Sequence, residues 1–150
     1  MTHSYRVHFY HCIWATKQRR AFIIPKVQIR LYTYINGIIT NHSGTLLEIG
    51  GMPDHVHLLL KLGDLQPYSH FVRDVKACSS AWIHKNFPDM QDFAWQEGYG
   101  SFSVSYSVLN SVQKYIQNQE KHHKNMTFEQ EYLRLLQLHN TPYDDRFVFG

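Results

Sequence analysis

Four short segments of the chain carry the hydrophobic pattern of strands. The first covers residues 5–16 and alternates, with Val7, Phe9, His11 and Ile13 on one face and Arg6, His8, Tyr10, Cys12 and Trp14 on the other. Further strands are predicted over residues 45–50, 55–62 and 102–106. Only residues 51–54 separate the second strand from the third, so we expect these two to be adjacent.

Helical spacing of apolar residues predicts four helices between and after these strands. The first begins at Pro25, which suits a first helical turn, and ends at the turn over residues 41–44. The second runs from Pro67 to about Phe87, with Phe71, Val75, Cys78 and Trp82 on one stripe. The third runs from Asn110 to about His123, and the last is capped by Thr127.

The predicted element order is β-α-β-β-α-β followed by two helices. This order is the split-βαβ arrangement, an α+β, ferredoxin-like (RRM-like) antiparallel sheet with two helices on one face. We expect one domain over residues 1–150. The two additional C-terminal helices must pack on the open sheet face or against a partner subunit.

Composition narrows the class of protein. The chain has 150 residues, of which 43% are hydrophobic and 18% charged, so an ordered domain is expected and disorder is excluded. No apolar run exceeds four residues, which excludes a membrane span, and no signal peptide is visible. We therefore expect a cytoplasmic protein in which Cys12 and Cys78 are reduced and buried.

Charge and histidine content bring in candidate chemistry. The net charge is +3, which supports nucleic-acid binding only weakly. The 11 histidines and the 15% aromatic content are more unusual. They direct attention to metal ligation and base stacking, and each of these needs support from residue positions.

A histidine pair lies in the third predicted strand. The strand period of two places Val56, Leu58 and Leu60 on the helix-packed face, and it directs His55 and His57 to the opposite, open face. Alone, such a pair is more simply explained as polar residues on a solvated sheet face. Two imidazoles on one strand face are also able to converge on one metal ion.

A tyrosine and a glutamine share a helix face further along the chain. Tyr115 and Gln119 are four residues apart and stand one above the other. A metal held by two imidazoles and an amide oxygen keeps positions that phosphate oxygens can fill. Near such a phosphate, a tyrosine hydroxyl becomes a candidate nucleophile, and its attack on DNA would leave a phosphotyrosine ester.

The chain resembles the single-tyrosine transposases of the HUH (His-hydrophobic-His) superfamily, which include insertion-sequence and repeat-associated (REP) tyrosine transposases. Four segments carry the resemblance in the same order along the chain: residues 54–57 (DHVH), 95–100 (WQEGYG), 102–105 (FSVS) and 114–119 (KYIQNQ). Each segment alone is weakly specific, but together they span nearly the whole chain.

The resemblance implies specific roles. His55 and His57 correspond to the metal-binding pair, Gln119 to the third ligand and Tyr115 to the nucleophile. It further implies a Mg²⁺ or Mn²⁺ ion, cleavage of single-stranded element ends folded into hairpins, and a 5′-phosphotyrosine with a free 3′-hydroxyl. Members of the family are typically homodimers in which the tyrosine helix of one subunit can complete the site of the other.

Other candidates have less support. Phosphate contacts are expected from two basic groups, which comprise Lys17, Arg19, Arg20, Arg73 and Lys76. Tyr10, Trp14 and Tyr99 are candidates for stacking on bases. Surface or packing roles are expected for His8, His11, His122 and His123, with His122 as the first reserve ligand.

Two other functions fit parts of the sequence. A non-catalytic, RRM-like RNA-binding module would use residues 98–106, which resemble an aromatic RNA-binding strand. Glu97 stands where that pattern has a basic residue, and an additional serine shifts the aromatic spacing. A zinc hydrolase using His55 and His57 lacks the HExxH spacing, and Asp54 and Glu48 are the only acids nearby in sequence.

Overall fold

Four antiparallel strands form one sheet in the computed structural model, which describes residues 3–63 and 66–150. The strands, in the spatial order β2-β3-β1-β4, are β1 (Phe9–Ala15), β2 (Thr45–Met52), β3 (His55–Lys61) and β4 (Gly100–Val104). β1 and β3 are the central strands, and Ile13 lies opposite His57 in their register. This topology confirms the ferredoxin-like prediction.

Five helices accompany the sheet in the described residues. They are α1 (Pro25–Asn41), α2 (Tyr68–Asn86), α3 (Leu109–Gln117), α4 (Gln119–His122) and α5 (Phe128–Leu138). Pro25 opens α1 as predicted. Thr127 caps α5 in a capping box, because its hydroxyl accepts from the Gln130 amide while the Gln130 side chain accepts from the Thr127 amide.

The first face of the sheet packs against α1 and α2. Alternate residues of β1 and β3 supply Cys12, Trp14, Val56, Leu58 and Leu60 to this core, all of them buried. The buried stripe of α2 is Phe71, Val72, Val75, Ser79 and Ile83.

The prediction that Cys78 is buried is wrong. Cys78 is exposed, and its neighbour Ser79 takes the position against the sheet. The Ser79 hydroxyl donates to the Val75 carbonyl and accepts from Nε1 of Trp95, so this polar residue is fully bonded in the core. Because Ser79 is polar, its buried position does not appear in the pattern of apolar residues. The predicted buried face of α2 was therefore shifted towards Cys78.

The second face of the sheet is covered by the C-terminal helices, as one of the two predicted placements required. Ile13, Ala15 and Phe102 of the sheet pack against an apolar stripe of α5 formed by Phe128, Tyr132, Leu135 and Leu136. α3 lies on β2 and β3 beside it. The histidine pair of β3 is therefore covered, and the expectation of an open face at His55 and His57 is wrong.

Several element bounds differ from the predictions. The pairing of β1 begins at Phe9 because its partners end there, at Lys61 of β3 and Val104 of β4. β4 begins at Gly100, two residues before the predicted start. The long third helix is interrupted at Asn118, and the two pieces on either side are α3 and α4, so three helices follow the sheet instead of two.

Among residues 3–63 and 66–150, no helix combines the length and the apolar character needed to cross a membrane.

Candidate active site

The histidine pair of β3 lies between the sheet and the C-terminal helices. Both His55 and His57 are fully buried. Strand geometry directs them to the same face, and their ring centroids are 5.1 Å apart.

A carboxylate from α5 lies at the centre of this site. Oε1 of Glu131 is 3.3 Å from Nε2 of His55 and 3.0 Å from Nε2 of His57. The same oxygen is 3.0 Å from Nε2 of His123, which follows α4. Glu131 is itself fully buried, so three imidazoles surround a carboxylate that has no access to water.

α3 and the start of α4 bring the tyrosine and the glutamine to the same carboxylate. Oε2 of Glu131 accepts hydrogen bonds from the Tyr115 hydroxyl and from Nε2 of Gln119. The amide oxygen of Gln119 is 2.8 Å from Nε2 of His55. The predicted nucleophile and all three predicted ligands therefore meet at Glu131 within one chain.

Close approach of α3 to the sheet depends on Gly50 of β2. A Cβ atom at this position would lie 2.6 Å from the backbone oxygen of Ile116, which is the residue after Tyr115. Glycine is thus required where the tyrosine helix contacts the strand.

Each histidine of the site is oriented through its other ring nitrogen. Nδ1 of His55 is 2.7 Å from the Asp54 carboxylate, and Nδ1 of His57 is 2.8 Å from Nε2 of His11. Such outer partners fix the tautomer and ring orientation of histidines that bind metals. His11, for which a surface or packing role was expected, is thus part of the site.

Burial and charge set the protonation of these groups. Burial alone lowers the pKa of His55, but hydrogen bonds with Asp54 and Glu131 outweigh it and raise this pKa to about 9. Burial is the main cause that lowers the pKa of His57. Burial also lowers the pKa of His11, to about 3. Burial favours protonation of Glu131, yet its hydrogen bonds with the histidines hold the carboxyl pKa well below its usual range.

Tyr115 is protonated at neutral pH. Burial raises the pKa of its phenol above the usual value, and the nearby charge of Glu131 raises it further. The phenol therefore needs an acceptor for its proton before it can act as a nucleophile, and the carboxylate that already accepts its hydrogen bond is such a group.

The donor set fits a divalent metal ion. The ligand atoms of His55, His57 and Glu131 all lie within 4.8 Å of one another. Imidazole nitrogens together with carboxylate and amide oxygens suit first-row transition ions, and the oxygens also suit Mg²⁺.

Two cavities are lined in part by residues of this site. Tyr115 lines a mostly apolar cavity of about 270 Å³ together with His11, Phe102 and Leu135. On the other side, Asp54 and His123 line a cleft of about 720 Å³.

The predicted DNA-binding residues lie outside the site. Lys17 and Arg20 are exposed on the turn after β1, where Arg20 pairs with Asp92 at 2.7 Å. Arg19 beside them is half-buried and lies 3.4 Å from the carboxylate of Glu129.

The second basic group lies on α2. Arg73 is exposed there, whereas the Lys76 ammonium donates to the backbone carbonyls of Gln96, Glu97 and Gly98. Three carbonyls match the three donors of an ammonium group, which favours a structural role for Lys76. Trp14, a stacking candidate, is fully buried and cannot contact a base.

Sequence reasoning missed Glu131 and His123. Glu131 stands on the apolar stripe of α5, three residues after Phe128 and four before Leu135. An acid on a buried helical stripe is a detectable signal, because burying a charge requires partners. His122, the reserve ligand, instead stacks on the Tyr115 ring at 4.5 Å between centroids.

A ferredoxin-like sheet that carries a His-hydrophobic-His strand beside a tyrosine helix fits the tyrosine transposases of the HUH type. The family model for IS200-like transposases matches residues 4–119. The chain belongs to this family, and it is accordingly a DNA-cleaving and strand-transferring enzyme.

Individual relatives agree with this assignment. The chain is 29% identical over 115 residues to the ISDra2 transposase TnpA of Deinococcus radiodurans, covering 73% of this chain and 82% of that protein. It is similar to the crystal structure of a candidate transposase from Deinococcus radiodurans R1, with a TM-score of 0.65, 30% identity and coverage of 79% of this chain and 96% of the other.

A third likeness concerns the fold alone. A REP-associated tyrosine transposase bound to a REP hairpin matches with a TM-score of 0.61 at 14% identity, over 82% of this chain and 74% of the other.

Proposed function

We propose that this transposase nicks and rejoins single-stranded DNA through a covalent bond to Tyr115, at a site where His55, His57 and Gln119 hold a divalent metal ion. One observation carries the proposal. The Tyr115 hydroxyl, the two imidazoles and the Gln119 amide all contact the same carboxylate, so nucleophile and ligands are assembled in one place.

The chemistry is an exchange of phosphate esters. The Tyr115 oxygen bonds to the phosphorus, and the bond from phosphorus to the 3′-oxygen breaks. The departing 3′-oxygen takes up a proton and becomes a hydroxyl, while the 5′-phosphate stays on the tyrosine. Oε2 of Glu131 is positioned to receive the phenol proton. Attack by a 3′-hydroxyl on the phosphotyrosine reverses these steps and joins strands.

The residues around the ion have separate tasks. A bound Mg²⁺ or Mn²⁺ ion supplies Lewis acidity to the phosphoryl oxygens. His55 and His57 contribute Nε2 and Gln119 contributes its amide oxygen, and Asp54 holds the His55 ring in place.

We propose hairpin-bearing element ends as the substrate. Family membership supports this class of DNA, and a structural relative is described as bound to a REP hairpin. Lys17, Arg19, Arg20 and Arg73 are the candidate phosphate contacts, and Lys76 stays a weaker prediction. A homodimer remains a prediction from the resemblance, and a cytoplasmic location remains a prediction from the sequence.

The RNA-binding alternative is disfavoured by the packing of the sheet. Phe102, which that function would expose on β4, is buried under α5. RNA-recognition modules need such aromatic residues accessible for stacking.

Covalent trapping tests the proposed function. Incubation of hairpin-bearing oligonucleotides with Mn²⁺ should give a protein–DNA complex that survives denaturation. Tyr115→Phe should abolish the complex because it lacks the attacking oxygen, and His57→Ala should abolish it through loss of metal. An undiminished complex with Tyr115→Phe would show that another residue is the nucleophile.

A further inference from the structure

We propose that His123 and Glu131 are metal ligands, which join His55, His57 and Gln119 in a centre that binds a transition ion such as Mn²⁺ even without DNA. The inference rests on the proposed function only in assuming that a divalent ion occupies this site. It adds an imidazole and a carboxylate to the two histidines and one glutamine that the family resemblance implies.

The hydrogen bonding of His123 through Nδ1 directs Nε2 towards the oxygen atoms of the site. Nδ1 of His123 is 2.7 Å from the Met126 carbonyl oxygen. A carbonyl only accepts, so Nδ1 carries the ring proton. Nε2 of His123 therefore faces Oε1 of Glu131 and the amide oxygen of Gln119, each at 3.0 Å, so these three atoms are placed to bind one cation.

His55 has the same arrangement. Its Nδ1 faces the Asp54 carboxylate, which is also an acceptor when ionised, and its Nε2 faces the cluster. Imidazoles that donate through one nitrogen to an oxygen and direct the other inward are typical of metal sites. His123 matches His55 in this respect, whereas His122 faces the Tyr115 ring.

The burial of the Glu131 carboxylate makes a positively charged partner necessary. Glu131 is fully buried, and the His123 side chain is 7% exposed. A buried carboxylate is costly unless it is paired or coordinates a metal. Oε1 of Glu131 lies within 3.3 Å of three imidazole nitrogens. A small displacement of these side chains would therefore make room for a cation among the four ligand atoms.

Both additional ligands come from the part of the chain after the family match. That match ends at residue 119, whereas His123 follows α4 and Glu131 lies on α5. The helix break at Asn118 and the capping box at Thr127 position them. Three imidazoles and a carboxylate favour Mn²⁺, Co²⁺ or Zn²⁺ over Mg²⁺, which prefers oxygen ligands and retains its waters.

Calorimetric titration of the full chain with Mn²⁺, without DNA, tests the ligand set. The unaltered protein should bind one ion. His123→Ala and Glu131→Gln should each weaken binding by about tenfold or more, and Glu131→Gln retains the shape of the side chain should His123→Ala fold poorly. His122→Ala is the matched control and should bind Mn²⁺ like the unaltered chain.

Spectroscopy gives a readout that a structural role would not change. Pulsed electron paramagnetic resonance of the Cu²⁺-loaded protein counts bound imidazoles. We expect three in the unaltered protein and in Tyr115→Phe, and two in His123→Ala. Two imidazoles in the unaltered protein, unchanged affinity in both ligand variants, or no Mn²⁺ binding without DNA would each overturn the inference.

The outcome is independent of the nicking assay. Metal binding as described without a covalent DNA complex would contradict the proposed function and leave the ligand assignment standing. A Tyr115-dependent complex with unchanged metal affinity in His123→Ala and Glu131→Gln would support the proposed function and contradict the ligand assignment.

Discussion

One carboxylate links the histidine pair to the tyrosine. Oε1 of Glu131 faces the imidazoles and Oε2 accepts from Tyr115, so the two oxygens contact the proposed metal ligands and the proposed nucleophile respectively. Without metal, the charge of Glu131 is balanced by protonated His55. The metal-free protein therefore holds its site together with an ion pair, and this pair depends on pH.

Loss of the proton from His55 should destabilise the metal-free protein as the pH rises from 6.5 to 8. The folded-state pKa of His55 is about 9, above its ordinary value of 6.5, so the stabilisation is complete below pH 6.5 and is lost as the pH rises through 9. The contribution of His55 to the free energy of unfolding should fall by about 2 kcal/mol over this window. Measured with a chelator as the difference from His55→Gln, this is roughly 4–8 °C in Tm.

Comparison with variants isolates His55. Burial lowers the pKa values of His11 and His57, so both residues make the folded protein more stable as the pH rises past 6.5 and oppose the effect of His55. Burial lowers the pKa of Lys76 to about 8, and its loss of a proton above that pH acts in the opposite direction. His55→Gln should remove the destabilising contribution as the pH rises, and His70→Gln, a change at an exposed histidine of α2, should preserve it. The same dependence of Tm on pH in His55→Gln and in the unaltered protein would assign the titration to another group.

Some site residues are readable from sequence, and others are not. The strand period placed His55 and His57 on one face, and helical spacing placed Tyr115 above Gln119, because both relationships are local. The contact between His57 and Glu131 joins residues 74 positions apart, and it exists only because α5 packs on the sheet. No local pattern encodes such a contact, although the acid on the stripe of α5 indicates a buried partner.

At the scale of elements, the site depends on how closely α3 approaches β2. Gly50→Ala should push α3 away, because its Cβ would meet the Ile116 backbone, which has no flexible end to yield. We expect a loss of about 1–3 kcal/mol in the free energy of unfolding. Covalent complex formation should fall by about tenfold or more through displacement of Tyr115.

Gly37→Ala is the matched control. A Cβ at Gly37 of α1 meets no atom within 4 Å. Alanine in a helix interior should stabilise the protein by roughly 0.5–1 kcal/mol and leave complex formation unchanged. Denaturant unfolding and the trapping assay measure both variants, and equal effects at the two glycines would contradict the role of close packing at Gly50.

Element order was predictable while element ends were not. Periodicity identified every strand of the sheet and the capped start of α5. The start of β1 depends instead on where its partner strands end. The break at Asn118 follows from α4 turning towards the sheet. Such packing between elements cannot be predicted from the spacing of apolar residues.

At the scale of the whole molecule, each chain carries its own tyrosine beside its own histidines. A mixture of Tyr115→Phe and His57→Ala proteins should therefore form no covalent DNA complex, because neither chain has both groups. Exchange of tyrosine helices between subunits would restore one intact site in a mixed dimer. Recovered complex in the mixture, with none in either variant alone, would show that such exchange occurs.

The position of α5 also affects how the protein is made. The histidine pair leaves the ribosome more than 70 residues before Glu131 does. Until α5 emerges, the nascent chain has neither a cover for the second sheet face nor the carboxylate that joins ligands to nucleophile. Translation that stops before α5 should therefore yield fragments without the assembled cluster, and we expect DNA cleavage only from chains in which α5 has been synthesised.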